Sequence, residues 1–333
     1  MFKFSKTVLT LVLLSSVQMV ASDERALTGA ETVSSLLEKS LLLASDQYGR
    51  LSIVAGERGH IFYSYDTKHW IQASTDTKTT LTNVFILDDK LAWAVGHDAV
   101  ILKSNDGAKT WQTVFSDIHE EAPLLDVYFE DALTGIAIGA YELIYVTKNG
   151  GVNWQKASLN LSDESKEEDE FTDVNDLHLN SIASAGDKRY YIAAEAGNIF
   201  RSDDDGESWL RLPSPYRGSF FGVLPLSLNN ILVYGLRGHL YRSSDAGSSW
   251  VKVDSDTNEM LTDASYLANG DIVVVGLAGT MLISRDNGKT FSKINLNHRH
   301  GLSSISETVA GSMLVTGYAG IQLLLRDKTT PKH

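Results

Sequence analysis

The chain has no cysteine, five prolines, and 29 Lys and Arg against 42 Asp and Glu in 333 residues. Without cysteine there is no disulfide framework, no thiolate metal site, no cysteine nucleophile and no lipidated cysteine. Few prolines beside 26 glycines favour many tight turns over extended linkers. A formal charge of −13 argues against a nucleic-acid partner, because phosphate-backbone binders need clustered Lys and Arg. Long apolar runs are also missing, since a bilayer span needs roughly 20 apolar residues in a row. What the chain does have is 43% hydrophobic and 21% charged residues. That is ample for a packed core and too little charge for a disordered polymer.

The first residues read as an address. Lys3 and Lys6 precede an apolar run from Val8 to Leu14, which fades through Ser15, Ser16 and Gln18 to Ala21-Ser22. A positive start, a short apolar stretch and small residues at the end make a secretory signal peptide, here 1–22. Export to a bacterial periplasm is expected, with a soluble mature protein that does not insert into the membrane after cleavage and is a monomer on its own.

Internal repetition accounts for nearly everything else. Six segments share one template: Ser64-Tyr-Asp66-Thr-Lys-His-Trp70, Ser104-Asn-Asp106-Gly-Ala-Lys-Thr-Trp111, Thr147-Lys-Asn149-Gly-Gly-Val-Asn-Trp154, Ser202-Asp-Asp204-Asp-Gly-Glu-Ser-Trp209, Ser243-Ser-Asp245-Ala-Gly-Ser-Ser-Trp250 and Ser284-Arg-Asp286-Asn-Gly-Lys-Thr-Phe291. The third residue falls at 66, 106, 149, 204, 245 and 286, and a degenerate seventh copy follows at Asp327. Before each box lie two short apolar strands separated by a glycine turn, as in Ile272-Val-Val-Val-Gly276 and Thr280-Met-Leu-Ile-Ser. Gly56, Gly96, Gly139, Gly235 and Gly317 fill the same glycine slot, with Ala194 in the fourth copy. Runs of four to six residues rich in Val and Ile and bounded by Gly are strands.

Four antiparallel strands per ~41 residues is the arithmetic of a propeller blade. The reading is therefore all-β, a single seven-bladed β-propeller over residues 41–333. Repeat seven has no fourth strand, and its open edge would promote association. The N-terminal segment 23–40, with a strand somewhere in 26–36, is expected to close the ring. The boxes suit a hairpin turn, in which Asp accepts backbone N–H groups, Gly supplies positive φ and Trp packs between blades. Their carboxylates are too far apart around a ring to cooperate, so no catalytic residue is assigned.

These boxes resemble the Asp-box of sialidases and related glycosidases. The Gly-x-x-Gly turn, second strand and box together more closely resemble the photosystem II stability and assembly factor family, which has bacterial relatives outside photosynthesis. Gly56-Glu-Arg-Gly59-His-Ile, Gly235-Leu-Arg-Gly238-His-Leu and Gly276-Leu-Ala-Gly279-Thr-Met carry that resemblance, which spans about residues 41 to 327. It implies a non-enzymatic propeller that assembles or stabilises a membrane-protein complex. The partner it implies is a membrane protein or an exporter component of the resistance-nodulation-division type. The alternative is a secreted glycan-binding or sialidase-like glycoside-hydrolysing propeller, whose Arg-Ile-Pro signature does not occur in this chain.

A meander places the turn between strands two and three on the face opposite the boxes, together with the connections between blades. The residue two after each repeat glycine forms a ring there: Arg58, Asp98, Tyr141, Ala196, Arg237, Ala278 and Ala319. Of these and their neighbours, Arg58, His60, His97, Asp98, Tyr141, Glu142, Glu195, Arg237, His239 and Tyr318 are the candidate binding residues. Chemistry varies at these slots while the scaffold repeats, as a grafted recognition surface would, and Arg58 and Arg237 lead because Arg is enriched in interface hot spots. His60, His97, His239, His298 and His300 fall on different blades or a connector, so neither metal nor cofactor is expected. The longest step, between Asn149 and Asp204, carries an acidic insertion at 159–175, expected as a solvated loop over the same face.

Overall fold

The computed structural model describes residues 35–162 and 177–325. The leader at 1–22 and residues 163–176 of the acidic stretch lie outside the described residues. Six four-stranded antiparallel sheets and one three-stranded sheet follow one another in chain order. The molecule is a seven-bladed β-propeller. Blade one comprises strands Leu42–Tyr48, Leu51–Gly56, Ile61–Ser64 and Ile71–Gln72. Blade seven comprises Leu302–Glu307, Met313–Gly317 and Gly320–Leu324, with no fourth strand among the described residues.

The position of each strand explains its composition. Second strands such as Ala92–Gly96, Ile231–Gly235 and Ile272–Gly276 are buried along their whole length. Neighbouring blades cover both faces of each sheet, so these strands read as continuous apolar runs. First strands face the axis and alternate more, as in Leu124–Phe129. Core clusters form between consecutive blades; Trp93 and Phe129, for example, stack with centroids 3.5 Å apart between blades two and three.

The repeat glycine is needed for close approach. Gly56 is extended, yet a Cβ there would sit 2.1 Å from the Leu41 carbonyl oxygen. The residue before each first strand passes directly over this slot, and only a bare backbone leaves room for it.

The boxes are turn devices. Asp204 Oδ1 accepts from Ser202 Oγ at 2.7 Å and from the Ser208 N–H at 2.9 Å, while Oδ2 accepts from Ser208 Oγ at 2.6 Å. Burial alone would raise this carboxyl, but the Ser208 and Ser202 bonds hold it below the usual carboxylate range. Trp209 is 1% exposed and packs in the cluster between blades three and four. Trp209→Ala is expected to cost about 3–5 kcal/mol and Asp204→Ala about 1.5–3 kcal/mol in urea unfolding. If Asp204→Ala left stability unchanged but abolished binding to a partner, the structural role of the boxes would be refuted.

The ring closes between blades seven and one. Ser45 N–H donates to Ser304 Oγ at 3.1 Å, and Ser45 Oγ lies 3.0 Å from Ser304 Oγ and 3.2 Å from Ser306 Oγ. Leu37 packs with Leu42, Val54, Phe62 and Leu314. A Cβ on Gly320 would fall 1.7 Å from the Leu37 carbonyl oxygen. At Gly59, Gly197, Gly238 and Gly279 the same clash comes from Thr77, Tyr216, Thr257 and His298, all in connections between blades. Leu37 thus occupies over blade seven the place that a connection occupies elsewhere. Residues 35–39 are helical, and the rest of the segment expected to close the ring, 26–34, lies outside the described residues.

Candidate binding face

The turn between the second and third strands is a single 3-10 turn at Glu57–Gly59, Glu195–Gly197, Leu236–Gly238 and Leu277–Gly279. Its middle residue is left-handed: Arg58 has φ 56°, Ala196 52°, Arg237 56° and Ala278 55°. Asp98 at 57° and Tyr141 at 55° take the same conformation in blades two and three. An L-residue in this region costs roughly 1–2 kcal/mol, so the scaffold imposes one backbone on six residues of four kinds, Arg, Asp, Tyr and Ala. Ala319 in blade seven does not share it.

Arg58, His97, Asp98, Tyr141, Arg237 and Tyr318 are exposed on these turns, while His60, Glu142, Glu195 and His239 are half-buried. The predicted residues fall into local groups and do not form one central constellation. In the first, Tyr141 meets His178 edge-on at 5.0 Å and the His178 ring lies 3.5 Å from the Glu195 carboxylate. His60 instead turns inward: its Nδ1 is 3.1 Å from Ser40 Oγ, its ring packs edge-on against Phe62, and burial lowers its pKa. Asp98 Oδ2 accepts from Thr79 Oγ1 at 3.3 Å. Among the described residues, no group of three His, Cys, Asp or Glu is placed to hold a metal ion.

The most developed group surrounds Arg237. The Tyr216 and His239 rings stack at 3.9 Å, and Tyr241 continues the stack with its ring 5.9 Å from His239 and its hydroxyl 3.2 Å from Nδ1. Burial, with Lys252 and Arg237 nearby, lowers the pKa of the His239 imidazole. Beside the stack, Ser214, Tyr216, Arg217, Leu236 and Arg237 line an open hollow of about 690 Å³. Neither Arg217 nor Arg237 has an ion-pair partner among the described residues. Two guanidinium groups beside stacked rings suit carboxylates and planar groups.

Sequence reasoning missed Tyr216, Arg217 and His178, because all three lie in connections with no repeat pattern to mark them. One signal was available. Pro213 and Pro215, two of the five prolines, stiffen the connection that presents Tyr216 and Arg217.

Fold and turns together define a seven-bladed propeller with Asp-box hairpins and a turn face whose side chains differ from blade to blade. Residues 114–259 match the family described as photosynthesis system II assembly factor YCF48. That match spans a little under half of the chain, which is therefore similar to this family in its middle blades. The chain is similar to the photosystem II assembly lipoprotein Ycf48 of Synechococcus sp. (strain CC9902), 32% identical over 102 residues. It is also similar to the photosystem II stability/assembly factor HCF136 of Arabidopsis thaliana, 28% identical over 113 residues. These matches cover 31% and 33% of this chain and 27% and 26% of the relatives, so the chain spans about a quarter of their length. Among solved structures, YCF48 from Cyanidioschyzon merolae superposes with a TM-score of 0.71 at 18% identity, covering 88% of this chain and 97% of that one. YCF48 bound to D1 peptide gives 0.66 at 16% identity, covering 86% and 93%. At such identities the superpositions speak for the fold alone.

Proposed function

We propose that the protein is a non-enzymatic scaffold that holds a segment of a membrane protein on its turn face during assembly of a complex. The observation that carries this reading is the hollow lined by Arg217 and Arg237 beside the Tyr216–His239–Tyr241 stack. Unpaired guanidinium groups next to rings recognise carboxylate and planar groups of an extended chain, with no reacting centre required. Support also comes from the similarity to YCF48 bound to D1 peptide, a relative of this fold that holds a peptide. The compartment in this reading is the periplasm, on the leader pattern. The partner class includes exporter components of the resistance-nodulation-division type, on the resemblance alone.

Arg58 and Arg237 stand on blades one and five, so a segment touching both lies across the central opening. Truncating a hot-spot Arg costs about 2 kcal/mol, roughly thirtyfold in affinity. The test is capture of the crosslinked membrane partner by wild type, by Arg58→Ala/Arg237→Ala, and by Lys109→Ala/Lys289→Ala on the box face. Capture is expected to fail only for the Arg pair, with its melting temperature unchanged. Loss in the Lys control with retention in the Arg variant would put the site on the other face.

A further inference from the structure

At the opposite end of the disc, the seam between blades three and four contains a cleft of about 710 Å³. The repeat explains why it is there. Six residues after the start of the first strand, blades two, five and six carry Leu87, Leu226 and Leu267. Each of these leucines packs into the cluster shared with the following blade. In blades one, four and seven the same position is Tyr48, Ala185 and Thr308, and in blade three it is the exposed Glu130, so no leucine packs into this seam there.

The gap has a defined chemistry. Ile136 and Val146 give it an apolar floor. Tyr128 and Tyr190 stand edge to face at 5.5 Å. Both phenols donate to the same carboxylate oxygen, Glu130 Oε2, at 2.8 and 3.2 Å. Tyr190, 3% exposed, fixes Glu130 from blade four, so the carboxylate is held across the seam. The other oxygen, Oε1, has no partner among the described residues. At the rim, Asp131 and Glu207 add carboxylates, Asp205 is paired with Lys188 at 3.1 Å, and Lys148 is the ammonium in the lining. Lys148 is turned to the outside in a 3.8 Å pair with Glu207.

We propose that this cleft binds an organic cation on an apolar stem, an alkylguanidinium or alkylammonium. The stem lies on Ile136 and Val146, the cation meets the tyrosine faces, and Glu130 Oε1 accepts a charge-assisted hydrogen bond from it. The source is either a free small amine or an Arg or Lys side chain of another protein.

Isothermal titration with agmatine, with a short arginine peptide and with its citrulline counterpart tests the assignment. Wild type is expected to bind agmatine, the arginine peptide or both, and to bind citrulline far less. Agmatine alone would identify a small amine as the ligand; the peptide alone would identify a protein side chain. Glu130→Gln, which keeps an acceptor for the phenols, should weaken binding roughly tenfold to a hundredfold, the value of a hydrogen bond to a charged group. Glu130→Leu places in the gap the apolar side chain that blades two, five and six carry and should abolish binding. Arg58→Ala/Arg237→Ala should bind as wild type does, which separates this site from the turn face. Failure of both cations to bind, equal binding of citrulline, or binding that survives Glu130→Leu would each overturn the proposal.

Discussion

Lowering the pH from 8 to about 5 is expected to stabilise the disc. Asp46, Asp126 and Asp263 project from first strands into an axial channel of about 810 Å³ whose lining includes no Lys, Arg or His. Each bridges to the next blade: Asp46 Oδ2 accepts from the Ile86 N–H at 2.6 Å, Asp126 from Ile182 at 2.8 Å and Asp263 from Ile305 at 2.8 Å. These bonds satisfy the free edge of the neighbouring first strand. Burial nevertheless dominates, pushing Asp46 and Asp126 up to about 7 and Asp263 up to about 6. A carboxyl whose folded pKa lies above its unfolded value favours the folded state when protonated. Stability is therefore gained as the pH falls through 7 toward 4. Asp126 is 8% exposed and contributes most, on the order of a few kcal/mol; Asp46 and Asp263 are half-buried and contribute less.

The boxes set the opposite limit. Hydrogen bonds led by Ser249 hold Asp245 down to about 2. Asp286 also lies at about 2, where burial would raise it but the Thr290 and Ser284 bonds prevail. Depressed carboxyls lose their contribution as the pH falls from about 4 to 2. Denaturant midpoints at pH 8, 6.5, 5 and 3 should pass through a maximum near 5, and Asp126→Asn should flatten the upper limb. A midpoint that falls or stays level between pH 8 and 5 would refute the argument.

Removing all residues before Leu42 is expected to open the ring. The truncation takes away Leu37, 5% exposed, and uncovers Leu42, Val54, Phe62 and Leu314 where blades seven and one meet. Loss of one such leucine costs about 2–5 kcal/mol in typical cores. It also removes the Leu37 backbone from over Gly320, at the start of the last strand Gly320–Leu324, and an uncovered strand edge favours pairing with a second chain. Thermal unfolding and light scattering after size exclusion check both effects. The expected result is a sharply lower melting temperature and concentration-dependent association. An unchanged melt with a monomeric profile would show that the segment before Leu42 plays no part in closure. Gly320→Ala on the full chain, which sets a Cβ against the Leu37 carbonyl, provides the matched point variant.

Much of the architecture was legible because a propeller is built from local rules. Blade count follows from the spacing of Asp66 to Asp286, and strand type follows from runs such as Ile272-Val-Val-Val. The box chemistry of Asp204 and Trp209 acts within a few residues of itself, so a single repeat suffices to predict it. The repeat glycines were less transparent. Gly56 and Gly96 look like turn residues in a sequence, yet each is extended and exists to let the backbone of the first strand pass.

The candidate site was only partly legible, for a related reason. The ring of Arg58, Asp98, Tyr141 and Arg237 could be predicted because it has a fixed offset from the repeat. Tyr216, Arg217 and His178 could not, since connections between blades have no offset to count.

Sequence alone therefore determined the number of blades, the order of strands, the box turns and the variable slots, all of which depend on neighbours within ~41 residues. Only the tertiary structure decided what meets across a seam. It paired Asp126 with Ile182, placed Leu37 over Gly320, stacked Tyr216 on His239, and brought the Tyr190 phenol to Glu130 where blades two, five and six carry a leucine. These contacts join residues of different repeats. Their chemistry is set by which side chains the curvature of the ring brings face to face, and the local pattern carries no record of that.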